Sequence, residues 1–95
     1  MREVSLKWIE FVDDLIASGK EKNKSTVAKK IRSYSHTIKN IRAGKRNVSL
    51  AIIEKTIEVY GLNPKYLFGK SDIKYLHEYE KRRSQEAEEG RSKGN

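Results

Sequence analysis

The chain contains no cysteine, which excludes disulfides and thiolate metal sites. Its longest apolar run is Leu50-Ala51-Ile52-Ile53. A membrane span needs about 20 apolar residues and a signal-peptide core roughly 7, so neither is expected. The two histidines, His36 and His77, lie far apart and form no metal-ligand pair at helical spacing. No stretch sustains the period-two alternation of a half-buried strand. A length of 95 residues allows one small domain with a modest core. These absences define the expectation: a soluble, cytoplasmic, all-α protein with no membrane association, metal or cofactor.

A further absence is local. No acidic residue occurs between Glu21 and Glu54. Residues 24–47 carry eight Lys and Arg and no acid, a net +8 that equals the net charge of the whole chain. Residues 1–23 have net −1, residues 48–72 net 0 and residues 73–95 net +1. Solvated lysine-rich helices usually intersperse Glu, because opposite charges at i,i+4 support the helix. A cationic block without acids instead suggests a surface that meets a polyanion.

Five helices follow from apolar spacing and cap residues. Trp8, Phe11, Val12, Leu15 and Ile16 form one stripe over residues 5–18, with Ser5 as the expected N-cap and Gly19 as the stop. Lys20-Glu21-Lys22 reads as a polar loop. Asn23 then caps a second helix ending near Arg32, whose buried face is Val27, Ala28 and Ile31. Ser33-Tyr34-Ser35 is a break. A third helix covers roughly 35–43, with Ile38 and Ile41 inward and Gly44 ending it in a left-handed conformation. Ser49 caps a fourth helix, 50–60, with Leu50, Ile53, Ile57 and Tyr60 inward and Gly61 as its stop. Asn63 and Pro64 open a one-turn fifth helix containing Tyr66, Leu67 and Phe68. Residues 73–89 are dense in charge and compatible with one more helix. Residues 90–95 read as a disordered end. The expected division is a helical domain at 1–70 and a charged, partly disordered tail at 71–95.

Helices two and three are short and closely joined, the shape of a helix-turn-helix that must place one helix in a groove about 12 Å wide. Ala28 is small where they would cross. With Ile38 and Ile41 inward, the outward face of helix three is Ser35, His36, Lys39 and Asn40, with Tyr34 at its start. Asn pairs with adenine in two bonds, Lys donates to guanine, and aromatic edges touch a thymine methyl. These five are the candidate base-reading residues. Lys24 in the first turn of helix two opposes the helix dipole, a cost that a phosphate at that helix start would reverse. Ser25 and Thr26 would add hydroxyl contacts. Lys45, Arg46 and Asn47, joined by Arg42, are expected to hold the backbone on the other side.

Residues 5–69 resemble the Cro/repressor type of helix-turn-helix domain, of lambda-repressor-like fold. The resemblance rests on Ala28, on Thr37-Ile38 and Ile41, on Gly44-Lys45-Arg46-Asn47-Val48-Ser49-Leu50, and on Asn63-Pro64-Lys65-Tyr66-Leu67. It implies a compact five-helix domain, the third helix in the major groove, and a homodimer on a palindromic double-stranded operator. It also places base contacts at Ser35, His36, Lys39 and Asn40, and phosphate contacts at Lys24, Lys45 and Arg46. Arg32 stands where the family prefers Gly. A non-glycine in a left-handed turn costs roughly 1–2 kcal/mol, so a differently shaped turn is expected. Ser33 replaces an aliphatic residue, the connection before helix two is about two residues longer than the commonest version, and Val48 replaces a frequent Pro.

The expectation is therefore a transcription regulator, a repressor, and not an enzyme. Catalysis would need a poised nucleophile or a paired acid and base. His77-Glu78-Tyr79-Glu80 is no zinc pattern, and His36 has no carboxylate nearby in sequence. The alternative is an antitoxin-like module that binds a protein partner through the tail and also regulates its own operon. RNA modules usually expose several aromatics for stacking, whereas Tyr34 is the one Phe, Trp or Tyr in the basic block. For residues 73–79, dimerisation, packing back on the domain and fraying are equally open.

Overall fold

The longest apolar stripe builds helix α1, Arg2–Ala17. The computed structural model describes the backbone of residues 2–93 and the side chains of residues 2–85. Trp8, Phe11, Val12 and Leu15 are fully buried, and Ile16 packs against the same core. Val4 extends the stripe one turn upstream, so α1 starts before Ser5 and Ser5 is not its cap. The Ser5 side chain lies buried inside the helix and accepts a hydrogen bond from the Val48 N–H at 2.9 Å.

The loop after α1 departs from expectation at one residue. Glu21 is only 6% exposed. Its carboxylate accepts from Lys30 Nζ at 2.8 Å and from the Tyr60 hydroxyl at 2.7 Å. Burial of a carboxylate is tolerable here because both oxygens have donors.

Helix α2 is Lys24–Lys30 and helix α3 is Ser35–Arg42. Asn23 caps α2, its side chain accepting from the Thr26 N–H at 3.0 Å. The two helices end in the same way. In α3, Gly44 at φ 80° lets Gly44 N–H reach Ile41 O at 3.1 Å and Lys45 N–H reach Asn40 O at 2.9 Å. In α2, Arg32 N–H reaches Lys29 O at 3.2 Å and Ser33 N–H reaches Ala28 O at 2.8 Å. This is the paired 5→2 and 6→1 closure that needs a left-handed residue after the cap. Arg32 supplies it at φ 55°. The turn therefore keeps the left-handed shape despite lacking glycine, and α2 stops at Lys30 rather than near Arg32.

Helix α4, Leu50–Tyr60, is capped by Ser49 and stopped by Gly61 at φ 69°. Its inner face is rotated from the expected one. Leu50 is 68% exposed, while Ile52, Ile53 and Thr56 are buried. Ile57 and Tyr60 pack against the core edge. Thr56 turns inward because its hydroxyl has partners: it accepts from Trp8 Nε1 at 3.1 Å and donates to Ile52 O at 2.7 Å.

Helix α5, Pro64–Leu67, follows Asn63. Asn63 is fully buried and joins three segments. Its side-chain oxygen accepts from Lys65 N–H, its amide donates to Ile73 O at 2.9 Å, and its backbone N–H donates to Lys74 O at 2.8 Å. Leu76 N–H adds a bond to Gly61 O at 2.8 Å, and Leu62 and Tyr75 form an isolated β-bridge. Tyr75 is 8% exposed. Of the three outcomes open for residues 73–79, residues 73–76 thus pack back on the body.

Helix α6 spans Leu76–Lys93, so residues 90–93 are helical rather than irregular. Gly94 and Asn95, the end of the stretch expected to be disordered, lie outside the described residues. At about 1.5 Å per residue, 18 residues extend about 27 Å, and the molecule measures 55 × 26 × 21 Å. Among the described residues there are six helices and no strand, a compact all-helical arrangement around one core. Among the described residues no helix is long and apolar enough to cross a membrane.

Candidate nucleic-acid interface

The geometry of α3 divides its residues cleanly. Thr37, Ile38 and Ile41 face the core. Ser35, His36 and Lys39 are exposed and Asn40 half-exposed on the opposite side, where spacings of one, four and five residues share a helical face. Thr37, not foreseen as an inner residue, completes the buried row.

Tyr34 precedes this face in extended conformation, with no side-chain cap bond. It is 69% exposed. Its ring stacks on His36 with centroids 5.4 Å apart and planes at 16°. The stack places the Tyr34 ring beside the outward face of α3.

The expected phosphate contacts separate into free and engaged groups. Lys24, Ser25, Lys45 and Arg46 are exposed. No carboxylate among the described residues lies within 4.0 Å of Lys24, Lys39, Lys45 or Arg46. Thr26 donates its hydroxyl proton to Asn23 Oδ1 at 3.1 Å, so that proton is not available to a phosphate. Asn47 is exposed, but its side-chain oxygen accepts from the Ser5 hydroxyl at 3.3 Å.

Arg42 is engaged within the chain. Its guanidinium makes a two-pronged pair with Asp13, Nη1 to Oδ2 at 3.0 Å and Nη2 to Oδ1. The hydrogen bond from Arg42 holds the Asp13 carboxyl below the ordinary aspartate range, and Asp13 in turn raises Arg42. Arg42 is committed to α1 and is not a free cation for a backbone.

Three residues that sequence reasoning left out set the position of α3. Arg2 donates to Ile41 O at 2.6 Å and Arg42 O at 3.2 Å, a cation placed where the helix dipole favours one. Asp13 holds the last turn. Ser5 holds the following loop through Val48 and Asn47. All are α1 residues some 29 to 43 positions from their partners. Nothing in local spacing signals such pairs.

Glu21 performs the same task for α2. Lys30 at its C-terminal end is drawn to Glu21, which Tyr60 also binds. The Lys30 hydrogen bond, then the Tyr60 one, keep the Glu21 carboxyl below its ordinary value. Burial first, then Glu21, push the Tyr60 hydroxyl up. Both short helices are therefore tethered by ionic contacts at their C-terminal ends, while among the described residues Lys24, Lys39, Lys45 and Arg46 have no such partner.

The described residues contain no group of three or more His, Cys, Asp or Glu that could hold a metal. Family models, curated proteins and solved structures yield no match to this chain.

Proposed function

We propose that this protein is a sequence-specific double-stranded DNA-binding transcription regulator. In this reading α2, the turn at 31–34 and α3 act as a helix-turn-helix of the Cro/repressor type within a lambda-repressor-like domain. Helix α3 enters the major groove. Ser35, His36, Lys39, Asn40 and the Tyr34 edge meet base edges, and Lys24, Ser25, Lys45 and Arg46 meet phosphates. The chain acts in the cytoplasm, as a repressor, and as a homodimer on a palindromic operator whose half-sites lie about 34 Å apart.

One observation carries the reading: the polar outward face of α3 sits in a segment of eight cations and no acids, and Lys24, Lys39, Lys45 and Arg46 of that segment have no carboxylate partner among the described residues. A surface helix with only a structural role gains from compensating acids. A helix that meets phosphates loses by them.

The antitoxin-like alternative would use the tail's aromatics for a protein partner. Tyr75 is buried in the core, and the Tyr79 hydroxyl accepts from Lys65 Nζ at 2.7 Å. Both are engaged within the chain, which leaves the DNA reading ahead.

Selection of bound duplexes from a random-sequence pool at about physiological salt tests the proposal. An enriched palindrome is expected. An enriched single half-site would remove the homodimer from the reading. No enrichment by the folded protein would overturn sequence-specific binding.

A further inference from the structure

Among the described residues, two cations of the basic block hold a carboxylate: Lys30, which holds Glu21, and Arg42, which holds Asp13. They differ in setting. Glu21 is nearly enclosed. The Asp13 side chain remains 49% exposed and that of Arg42 36%. The Asp13–Arg42 pair therefore lies at the protein surface, in contact with water.

Its location is informative. Arg42 is the last residue of α3, followed within four residues by Lys45 and Arg46. Asp13 feels not only Arg42 but also the charge of Lys24 at the start of α2. The carboxylate on α1 thus binds the end of α3 and lies within electrostatic reach of the start of α2, the two places where the proposed function puts backbone phosphates. A carboxylate there repels a phosphate, and its two-pronged grip removes one guanidinium from the binding surface.

A purely structural tie had other solutions. Arg2 already fastens the same end of α3 through two carbonyls. Val12 and Leu15 already bury α1 in the common core. An exposed ion pair adds little stability. What Asp13 adds that these do not is control of charge at the surface.

We infer that Asp13 is a built-in restraint on DNA binding: it holds Arg42 off the phosphate backbone and so limits affinity for duplex of any sequence. The inference rests on the DNA-binding reading above. Its consequence is selectivity against bulk DNA. Sequence-independent affinity comes from phosphate contacts, so withholding one cation weakens attachment to the many non-cognate sites at which a regulator would otherwise be held. The base-reading face of α3 is untouched.

The test measures binding of a random-sequence duplex across a salt series for the full chain and three variants, with folding checked by circular dichroism. Wild type must first bind with log affinity falling linearly with log salt. If it does not bind, the DNA reading itself fails and the inference falls with it. Asp13→Asn is expected to bind roughly five- to tenfold tighter at ~0.1 M salt, with a slope about 0.9 steeper, the signature of one extra phosphate neutralised. Arg42→Gln is expected to leave the wild-type slope unchanged. The double variant Asp13→Asn/Arg42→Gln is expected to lose the steeper slope, which assigns it to the released arginine. A folded Asp13→Asn protein that binds no more tightly than wild type would overturn the restraint. So would a shallower slope for Arg42→Gln, which would mean Arg42 already reaches phosphate. Retention of the steeper slope in the double variant would refute the role of Arg42. If Asp13→Asn fails to fold, the Arg42→Gln slope alone decides.

Discussion

The buried hydroxyl of Ser5 accepts the Val48 backbone N–H at 2.9 Å, joining the first helix to the loop that follows α3. Val48 is 1% exposed and Ser5 fully buried, so water cannot replace the acceptor. This bond anchors the end of the loop that carries Lys45 and Arg46.

Ser5→Ala is expected to leave that N–H unsatisfied and to cost about 1–3 kcal/mol. Urea unfolding followed by circular dichroism measures it. A midpoint equal to wild type would show that the loop finds another acceptor.

Arg32 is the one non-glycine residue with positive φ among the described residues. It closes α2 by the same two bonds with which Gly44 closes α3. Arg32→Gly is expected to stabilise the protein by about 0.5–1 kcal/mol, the relieved strain less the entropy that glycine adds to the unfolded chain. Arg32→Val is expected to destabilise it, since a branched side chain tolerates this conformation least. Thermal melts of the two variants should move in opposite directions. A loss on Arg32→Gly would show that the arginine side chain contributes more than its backbone costs.

Glu21 links stability to acid. Its carboxyl lies below the ordinary value of 4.5, through Lys30 first and Tyr60 second. A depressed acid stabilises the fold above its unfolded value, and that stability is lost as pH falls through the folded value. The deficit of Glu21→Gln relative to wild type is therefore expected to be full at neutral pH and to shrink below about pH 4.5. Tyr60 works at the other end: its raised value adds stability below the ordinary 10.0 that is lost as pH rises through the folded value. Urea midpoints at several pH values decide. A Glu21→Gln deficit that does not vary with pH would assign the effect to packing.

For DNA binding, Asn40→Ala and Lys24→Ala are expected to differ in kind. Asn40→Ala should lower the ratio of preferred to random-site affinity, by about 1–3 kcal/mol at one position of the site. Lys24→Ala should weaken all sequences alike and reduce the salt slope by about one. Titration of both variants against the selected site and a random duplex separates them. An unchanged ratio for Asn40→Ala would remove it from base reading.

Much of this was legible along the chain. The helices at Lys24–Lys30, Ser35–Arg42, Leu50–Tyr60 and Pro64–Leu67 follow from Asn23, Ser49 and Asn63 as caps and from Gly44 and Gly61 as stops, because capping is satisfied within a few residues. The outward face of α3 was legible too, since Ile38 and Ile41 alone orient the helix. The charge of the block at 24–47 needed no structure at all.

Tertiary structure decided what depends on partners distant in sequence. Ser5 looked like a cap and is a buried acceptor, because Val48 arrives beside it. Leu50 looked like core and is exposed, because Trp8 offers its N–H to Thr56 and draws that side of α4 inward. Glu21 looked solvated and is enclosed by Lys30 and Tyr60. Arg42 looked free and is held by Asp13. Hydrophobic period and caps are properties of a segment and can be read from it. A hydrogen bond or ion pair between α1 and residues 29 or more positions away exists only once packing has brought the two together, and one such pair engages Arg42 of the basic block.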